Sequence, residues 1–184
     1  MSQFRGFIAI EINAFKKLIE FEKEIKKTYA DVKIVEPENI HITLKFLGNT
    51  DESKTDQIEE IIKDAVKEVK PFKIRLKGTG VFPNKSYMKV IWVGIENGDK
   101  IILIANEINE KLVEIGFEKE KRKFSAHLTI ARVRSAKNKE RLLQKIQKYE
   151  CVEFGDMEVK SVTLKNSDLT PKGPIYTTLK EIKL

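Results

Sequence analysis

Short apolar runs alternate with amphipathic stretches along the chain. Residues 7–12, FIAIEI, are short, apolar and isoleucine-rich, which is typical of a strand. Residues 14–29 place apolar side chains at helical spacing, with Lys and Glu on the other face. A second amphipathic stretch, residues 50–70, offers cap residues at its start and must end before Pro71. The pattern predicts a strand and a helix, then a second helix after the strand that contains His41.

The same order of elements returns later in the chain. Residues 72–78 alternate in polarity as a strand does. After them we predict a strand at 89–95, a helix at 99–115, a strand at 125–133, a helix at 138–149, and late strands at 157–166 and 177–184. His41 follows Ile8 by 33 positions and His127 follows Ile91 by 36. We therefore predict an internal repeat with halves at roughly 1–80 and 88–184.

These elements predict one α+β domain over residues 1–184, with mainly antiparallel sheets in two similar lobes. Equivalent positions of the repeat would then meet across an approximate two-fold axis. Residues 78–89, GTGVFPNKSYMK, are rich in glycine, proline and asparagine, which favour turns. We expect this segment to form a loop between the halves.

Both histidines of the chain occupy the same motif, His-x-Thr-[Leu/Ile]. His41 stands in HITL and His127 in HLTI. Side chains alternate faces along a strand, so histidine and threonine share one face and the apolar residues share the other. Two such strands facing each other would line a cleft with two imidazoles and two hydroxyls. A repeat could also copy a histidine that has no function, and the threonines could reflect strand propensity alone.

Two imidazoles beside one substrate suit acid–base chemistry. The ordinary histidine pKa is about 6.5, so one ring can be neutral and the other protonated near neutral pH. Phosphodiester cleavage needs both forms, because a base takes the proton of the nucleophile and an acid protonates the departing oxygen. The hydroxyls of Thr43 and Thr129 could donate to the non-bridging phosphate oxygens. This chemistry requires no metal.

Composition narrows the class of protein. The chain has 35 basic and 28 acidic residues, and the net charge of +7 suits a polyanionic partner without requiring one. A single cysteine, Cys151, and two histidines argue against a disulfide framework and a zinc cluster. No apolar run reaches the roughly 18 residues of a membrane span, and no signal-peptide pattern is present, so we expect a cytoplasmic protein. The abundance of Lys, Glu and Ile indicates a thermophilic source.

Basic residues accompany both motifs. Lys45 shares the strand parity of His41. Arg132 is the better candidate for gripping phosphate, because a guanidinium can donate two hydrogen bonds. It lies five positions after His127, so a bulge or the strand end would have to turn it inward. The other cations near the second motif are expected to form a solvated face: Lys119, Lys121, Arg122, Lys123 and Arg134.

Four further residues receive a prediction. Phe46 and Tyr176 could stack on a base of a single-stranded RNA end, or could pack in the core. Trp92 lies in an apolar strand, and we expect it in the core. Cys151 has no visible base partner and is expected to be structural.

The paired motifs, 86 positions apart, resemble those of the two-histidine (2H) phosphoesterase superfamily, and specifically its RNA 2',3'-cyclic phosphodiesterases, also described as 2'-5' RNA ligases. Similar stretches cover nearly the whole chain: RGFIAIEI, NIHITLKFLG, GVFPNKSYMKVIWVG, SAHLTIAR and GPIYTTL. One departure is that Met88 and Lys89 stand where relatives often have proline and arginine.

This resemblance implies a bilobal α+β fold with outer helices, a central cleft with both motifs on its floor, and no metal or other cofactor. It implies hydrolysis of a terminal 2',3'-cyclic phosphate on RNA to a 2'-phosphomonoester. By analogy His127 would be the base that activates water and His41 the acid that protonates the leaving 3'-oxygen. Thr43 and Thr129 would contact the phosphate, and Arg132 matches the arginine that often follows the second motif.

The expected partner is RNA with such an end, with tRNA fragments among the candidates, and the protein is expected to be a monomer without a membrane. Three alternatives stay open. The reverse reaction with a 5'-hydroxyl would be 2'-5' ligation. The substrate could instead be a 2'-5' oligonucleotide or a cyclic nucleotide derivative. The chain could also be a nucleotide- or RNA-binding module that lost turnover, although its intact histidine and threonine sets argue against loss.

Overall fold

The computed structural model describes residues 2–13, 15–171 and 173–184. The predicted helix start at Ala14 lies outside the described residues. Four α-helices are present among them: α1 (Lys16–Lys26), α2 (Thr55–Val66), α3 (Asp99–Lys111) and α4 (Lys139–Gln147). Nine strands are present as well: β1 (Gln3–Glu11), β2 (Val32–Ile34), β3 (His41–Asp51), β4 (Phe72–Pro83), β5 (Met88–Glu96), β6 (His127–Val133), β7 (Glu153–Val159), β8 (Ser161–Thr170) and β9 (Gly173–Lys183).

The strands form two antiparallel sheets. The first sheet has the order β3-β1-β8-β9, and the second has the order β2-β6-β5-β4-β7. Helices α2 and α3 pack together against the first sheet, and α1 and α4 pack together against the second. The predicted α+β architecture, with two antiparallel lobes and outer helices, is confirmed.

Each sheet takes strands from both halves of the sequence. The first sheet combines β1 and β3 with the last two strands, and the second combines β2 and β4 with β5, β6 and β7. The helices are exchanged too, since α1 joins the second sheet and α3 joins the first. The lobes therefore do not coincide with the sequence halves 1–80 and 88–184, and the repeat itself stays a prediction.

The cores lie between each sheet and its helices. Along β1 the side chains of Phe4, Ile8 and Ile10 enter the core, whereas Phe7 is buried on the opposite face. The apolar stripes of the helices are fully buried, with Phe21 of α1 and Ile58 of α2 both at 0% exposure. Burying such a side chain contributes roughly 1.5–3 kcal/mol, so these stripes hold the helices on their sheets.

The predicted loop at 78–89 is wrong, because most of this segment continues two strands. β4 runs to Pro83 and β5 begins at Met88, so only the residues between them form the turn of a hairpin. Gly78 has φ +72° and coincides with a shift in the β4–β5 register. Its left-handed backbone makes a bulge rather than an end, and the strand continues beyond it.

The late strand segment 157–166 spans two strands in different sheets. β7 ends at Val159 in the second sheet, and β8 begins at Ser161 in the first. Both Val159 and Val162 are buried, each within its own lobe. Lys160 is therefore the one residue that connects β7 of the second sheet to β8 of the first.

A buried carboxyl in α1 makes stability depend on pH. Glu22 is 5% exposed, and its Oε1 has no hydrogen-bond partner among the described residues. Burial raises the pKa of this carboxyl to about 7, with a smaller opposing effect of Lys26. The folded chain therefore keeps Glu22 protonated at pH values where the unfolded chain ionises it.

We predict that Glu22→Gln stabilises the protein in alkaline buffer. The contribution of protonated Glu22 to the free energy of unfolding is fully present below the unfolded pKa of 4.5. It falls as the pH rises to the folded pKa of about 7, and it is lost above that pH. The variant should therefore unfold at a higher denaturant concentration than the unmodified protein at about pH 8, with a much smaller difference at about pH 4.5. Glu20→Gln removes an exposed charge from the same helix and serves as the control. Equal midpoints of the Glu22 variant and the unmodified protein at the higher pH would contradict the prediction.

Candidate active site

The two motif strands approach each other although they belong to different sheets. β3 carries His41 and Thr43, and β6 carries His127 and Thr129. In both motifs the histidine and the threonine are partly exposed, while the apolar residue between them is fully buried. The predicted alternation is confirmed, and each motif turns its imidazole and hydroxyl away from the core of its own lobe.

A β-bulge follows the threonine in both motif strands. In β6 the extra residue is Ile130, which has no partner on β5. In β3 it is Leu44, which has no partner on β1. A bulge reverses the alternation of side chains beyond it. The next residue on the face of the histidine and threonine is therefore the fifth after each histidine, rather than the fourth.

These bulges decide which residues extend the two polar faces. Arg132 follows two buried neighbours and returns to the face of His127, so the bulge that its position required is present. Phe46 holds the equivalent position after His41 and is 68% exposed. Packing of Phe46 in the core is therefore excluded. One motif is extended by a cation and the other by an aromatic ring.

Lys45 lies on the other face of β3, because the same bulge turns it away from His41. Its Nζ donates to Oδ1 of Asn109 at 2.6 Å and to the carbonyl oxygen of Glu118 at 2.8 Å. The parity argument that placed Lys45 beside His41 is wrong. The lysine instead joins β3 to the segment that leads to the second motif.

A backbone carbonyl two residues earlier holds each histidine ring. Nδ1 of His41 lies 2.7 Å from the carbonyl oxygen of Asn39, and Nδ1 of His127 lies 2.7 Å from that of Ser125. Because a carbonyl oxygen only accepts, Nδ1 carries the hydrogen in both rings. The Nε2 atom of each neutral ring is then left with a free lone pair. Both histidines are thus held in the tautomer that can exchange a proton through Nε2.

Aromatic side chains surround the two imidazoles unequally. The ring centroid of His41 lies 4.9 Å from that of Phe7 and 5.3 Å from that of Tyr176, which meets it edge-on. The ring of His127 has one aromatic neighbour among the described residues, Phe82, edge-on at 5.0 Å. His41 is therefore the more enclosed of the two rings.

Trp92 is part of the wall beside His127, and its expected place in the core is wrong. Its indole contacts Phe82 with ring centroids 5.3 Å apart, and it is only partly buried. A Cβ at Gly80 would lie 2.2 Å from the indole, so the absence of a side chain there lets the ring lie against β4. Trp92 pairs with Thr129 across β5 and β6 and therefore lies on the same face as the second motif. The apolar sequence of β5 does not reveal this position.

An ion pair that the sequence did not indicate lies beside His41. Glu11 pairs directly with His41 across β1 and β3, and its carboxylate binds the ammonium of Lys165 on β8. Lys165 is 9% exposed and also donates to Oγ1 of Thr178 at 3.0 Å. The two charges stand 154 positions apart in the chain, so only the strand order brings them together.

The charges around His41 link the two sheets electrostatically. Burial lowers the pKa of His41, the hydrogen bond to Asn39 raises it, and the cations Lys165 and Arg132 lower it further. Burial also raises the pKa of Tyr176, and Arg132 opposes that change. Arg132 belongs to the second motif strand, whereas His41 and Tyr176 belong to the first sheet. Residues of both motifs therefore share one electrostatic environment, in which the free protein holds His41 neutral at neutral pH.

Other kinds of site find little support in the part of the chain that the structure describes. Within it, no group of three His, Cys, Asp or Glu side chains is placed to hold a metal ion. Cys151 is free and exposed. None of the described helices is both long and apolar enough to cross a membrane.

Comparisons with known proteins identify the family. The family model described as AKAP7 2'5' RNA ligase-like domain matches residues 6–184. This chain belongs to the 2'5' RNA ligase-like family of 2H phosphoesterases. Several relatives of this 2'5' RNA ligase-like protein are named RNA 2',3'-cyclic phosphodiesterase. The protein from Methanocaldococcus jannaschii is 44% identical over 96% of this chain and 99% of its own length. The protein from Methanothermobacter thermautotrophicus is 38% identical over 98% of each chain.

Solved structures agree with this assignment. The protein TT0787 of Thermus thermophilus superposes with a TM-score of 0.78 at 25% identity, covering 98% of this chain and 97% of that one. Escherichia coli LigT complexed with 3'-AMP shares the fold, with a TM-score of 0.72 at 21% identity over 100% of this chain and 99% of that one. The family resemblance inferred from the paired motifs is confirmed, and the thermophilic relatives agree with the composition.

The environment of His41 can be measured directly, because the chain has only two histidines. We predict that His41 titrates below the ordinary value of 6.5 in the free protein, owing to burial and to the nearby cations. Lys165→Met should raise this pKa by removing one cation, whereas Lys165→Arg should leave it close to that of the unmodified protein. Imidazole chemical shifts followed by NMR against pH give both values, with His127→Ala assigning the signals. A His41 pKa that equals the ordinary value and does not change in Lys165→Met would contradict this account.

Proposed function

We propose that this protein hydrolyses terminal 2',3'-cyclic phosphates of RNA to 2'-phosphomonoesters, with His41 and His127 as its acid–base pair. The supporting observation is that two imidazoles on contacting strands are held in the same tautomer, and that neither Nε2 has a hydrogen-bond partner among the described residues. The name shared by the relatives, RNA 2',3'-cyclic phosphodiesterase, points to the same reaction. Two imidazoles supply both proton transfers, so the proposed mechanism needs no metal.

In the proposed reaction, His127 takes a proton from water and the resulting hydroxide attacks phosphorus. The bond from phosphorus to the 3'-oxygen breaks, and His41 protonates that oxygen as it leaves. The lowered pKa of His41 in the free protein favours its neutral form. Bound phosphate carries negative charge, and an opposite charge nearby favours imidazolium, so substrate binding itself would load His41 with the proton it must deliver.

The remaining site residues would bind the phosphate and the terminal base. Thr43 and Thr129 lie on the same faces as the histidines and would donate to the non-bridging oxygens; removing a donor of this kind typically costs about 10²- to 10³-fold in rate. Arg132 would hold the negative charge between the two motifs. The exposed ring of Phe46 and the edge-on ring of Tyr176 would flank a base of the RNA end.

Ligation is a second candidate, favoured by the name of the matching family model. A 5'-hydroxyl in place of water would attack the same phosphorus, and the product would be a 2'-5' phosphodiester. The same two histidines would act in the same roles. We also propose that the enzyme is a monomer, because a single chain contributes every residue of the proposed site. Its proposed substrates are RNA fragments, with tRNA fragments among them, and its proposed location is the cytoplasm.

Replacing either histidine should remove most of the activity. We predict that His41→Ala and His127→Ala each lower kcat by about 10²- to 10⁴-fold on RNA that ends in a 2',3'-cyclic phosphate. Chelator-treated protein should remain active, and ³¹P NMR should identify a 2'-phosphomonoester as the product. Cys151→Ser, an exposed change outside the site, is the control. Tight RNA binding without turnover by the unmodified protein would favour a binding module instead.

The pH profile should depend on the environment of His41. We predict a bell-shaped dependence of kcat/KM on pH, with the limb that belongs to His41 moving to higher pH in Lys165→Met. The limb that moves reports the pKa of His41 and not its role, because a pair of titrating groups gives the same bell whichever of them is the acid. Lys165→Arg keeps the cation and should keep the profile, and a flat profile would contradict paired acid–base catalysis.

A further inference from the structure

A basic groove leads away from Phe46, outside the catalytic face. It has a volume of about 800 Å³, within the range of roughly 300–1,000 Å³ found for ligand sites. One wall is the later part of β3, residues 45–51, and the other is the segment 116–122, which precedes the second motif. Phe46 belongs both to this groove and to the face of His41, so the groove is continuous with the proposed catalytic site.

The groove is held open by a fixed set of hydrogen bonds. Lys45 ties β3 to the carbonyl oxygen of Glu118, and Asn109 of α3 binds both backbone groups of Glu120, at 2.9 Å and 3.1 Å. Lys54 donates to the carbonyl oxygen of Ile115 at 2.7 Å at the far end. The opposite wall is therefore attached to the body of the protein at several points, and the groove exists without a ligand.

Charge along the groove favours a polyanion. Its lining has five cations and three carboxylates: Lys45, Lys54, Lys119, Lys121 and Arg122 against Asp51, Glu118 and Glu120. Lys119 pairs with Glu110 outside the groove. Within the described ranges of the chain, Lys121 and Arg122 are exposed and form no salt bridge. These two cations are thus free to bind phosphate groups.

β3 adds a second feature that suits an extended ligand. It is an edge strand of the first sheet and pairs only with β1 among the described strands. An edge strand presents unpaired backbone donors and acceptors along its outer side. Polar backbone on one wall and free cations on the other match the bases and the phosphates of a single-stranded RNA.

We infer that this groove binds the nucleotides on the 5' side of the terminal cyclic phosphate. This inference rests on the proposed function, since it takes the RNA end to lie in the catalytic cleft. Phe46 would mark the boundary, with the terminal nucleotide on the side of His41 and the preceding nucleotides along Lys121 and Arg122. The groove makes an RNA strand, rather than a free cyclic nucleotide, the preferred substrate.

The test compares two substrates in a double variant. Lys121→Ala/Arg122→Ala should lower kcat/KM at least about 10-fold for an octanucleotide ending in a 2',3'-cyclic phosphate, mainly through KM. A mononucleotide with the same cyclic phosphate should be hydrolysed within about two-fold of the unmodified rate, because it does not reach the groove. The slope of log kcat/KM against log salt for the octanucleotide should become less steep by about 1.4, at about 0.7 for each single-strand phosphate that the variant no longer neutralises.

Arg141→Ala/Lys148→Ala removes the same charge from two exposed positions of the other lobe, one on α4 and one at its C-terminal cap, and is the matched control. If the groove variant hydrolyses the mononucleotide and has the same kcat/KM for the octanucleotide as the unmodified protein, the groove is overturned and the proposed function stands. An equal loss in the control would also overturn it, since the effect would then come from net charge alone. If the unmodified protein hydrolyses neither substrate, both the proposed function and the groove are overturned.

Discussion

The extra residue that follows the threonine in each motif strand is the constraint on which the proposed site depends. Ile130 in β6 and Leu44 in β3 have no partner on the adjacent strand, and both side chains are buried. In β6 the neighbouring Ile130 and Ala131 are both fully buried, and burying two neighbouring apolar side chains of a strand in the same core requires the backbone to break its alternation. The hydrophobic effect therefore anchors the bulge of β6, and the two bulges bring Arg132 and Phe46 to the polar faces.

The two motifs are alike in backbone and different in side chains. Each histidine donates to the carbonyl two residues earlier, and each motif is followed by the same bulge. The second residue after the bulge is a cation, Arg132, in one motif and an exposed aromatic ring, Phe46, in the other. The surroundings differ as well, since His41 lies against Phe7 and Tyr176 near the ion pair of Glu11 and Lys165. Two motifs with the same backbone features thus place their imidazoles in unequal environments, which is what separate acid and base roles require.

The exchange of strands between the lobes explains how the two motifs stay aligned. β8 and β9 complete the sheet that begins with β1 and β3, and they bring Lys165 and Tyr176 to His41. β2 crosses to the second sheet and pairs with β6 beyond Thr129. Each sheet therefore combines strands from both halves of the chain. The relative position of the motifs is therefore set by the same packing that forms the two cores.

The sequence by itself determined the local elements and the polar faces of the two motif strands. Helical spacing located all four helices, the repeated His-x-Thr motif located both imidazoles and hydroxyls, and residue parity showed that Arg132 needed a bulge. Only the tertiary structure decided which strand faces lie against each other. Trp92 and Lys45 were placed wrongly because an apolar or alternating pattern does not say where a bulge shifts the register. Glu11 and Lys165 were missed because a charge pair formed across neighbouring strands leaves no local pattern. Local spacing records short-range backbone geometry, whereas long-range strand pairing depends on packing between distant segments.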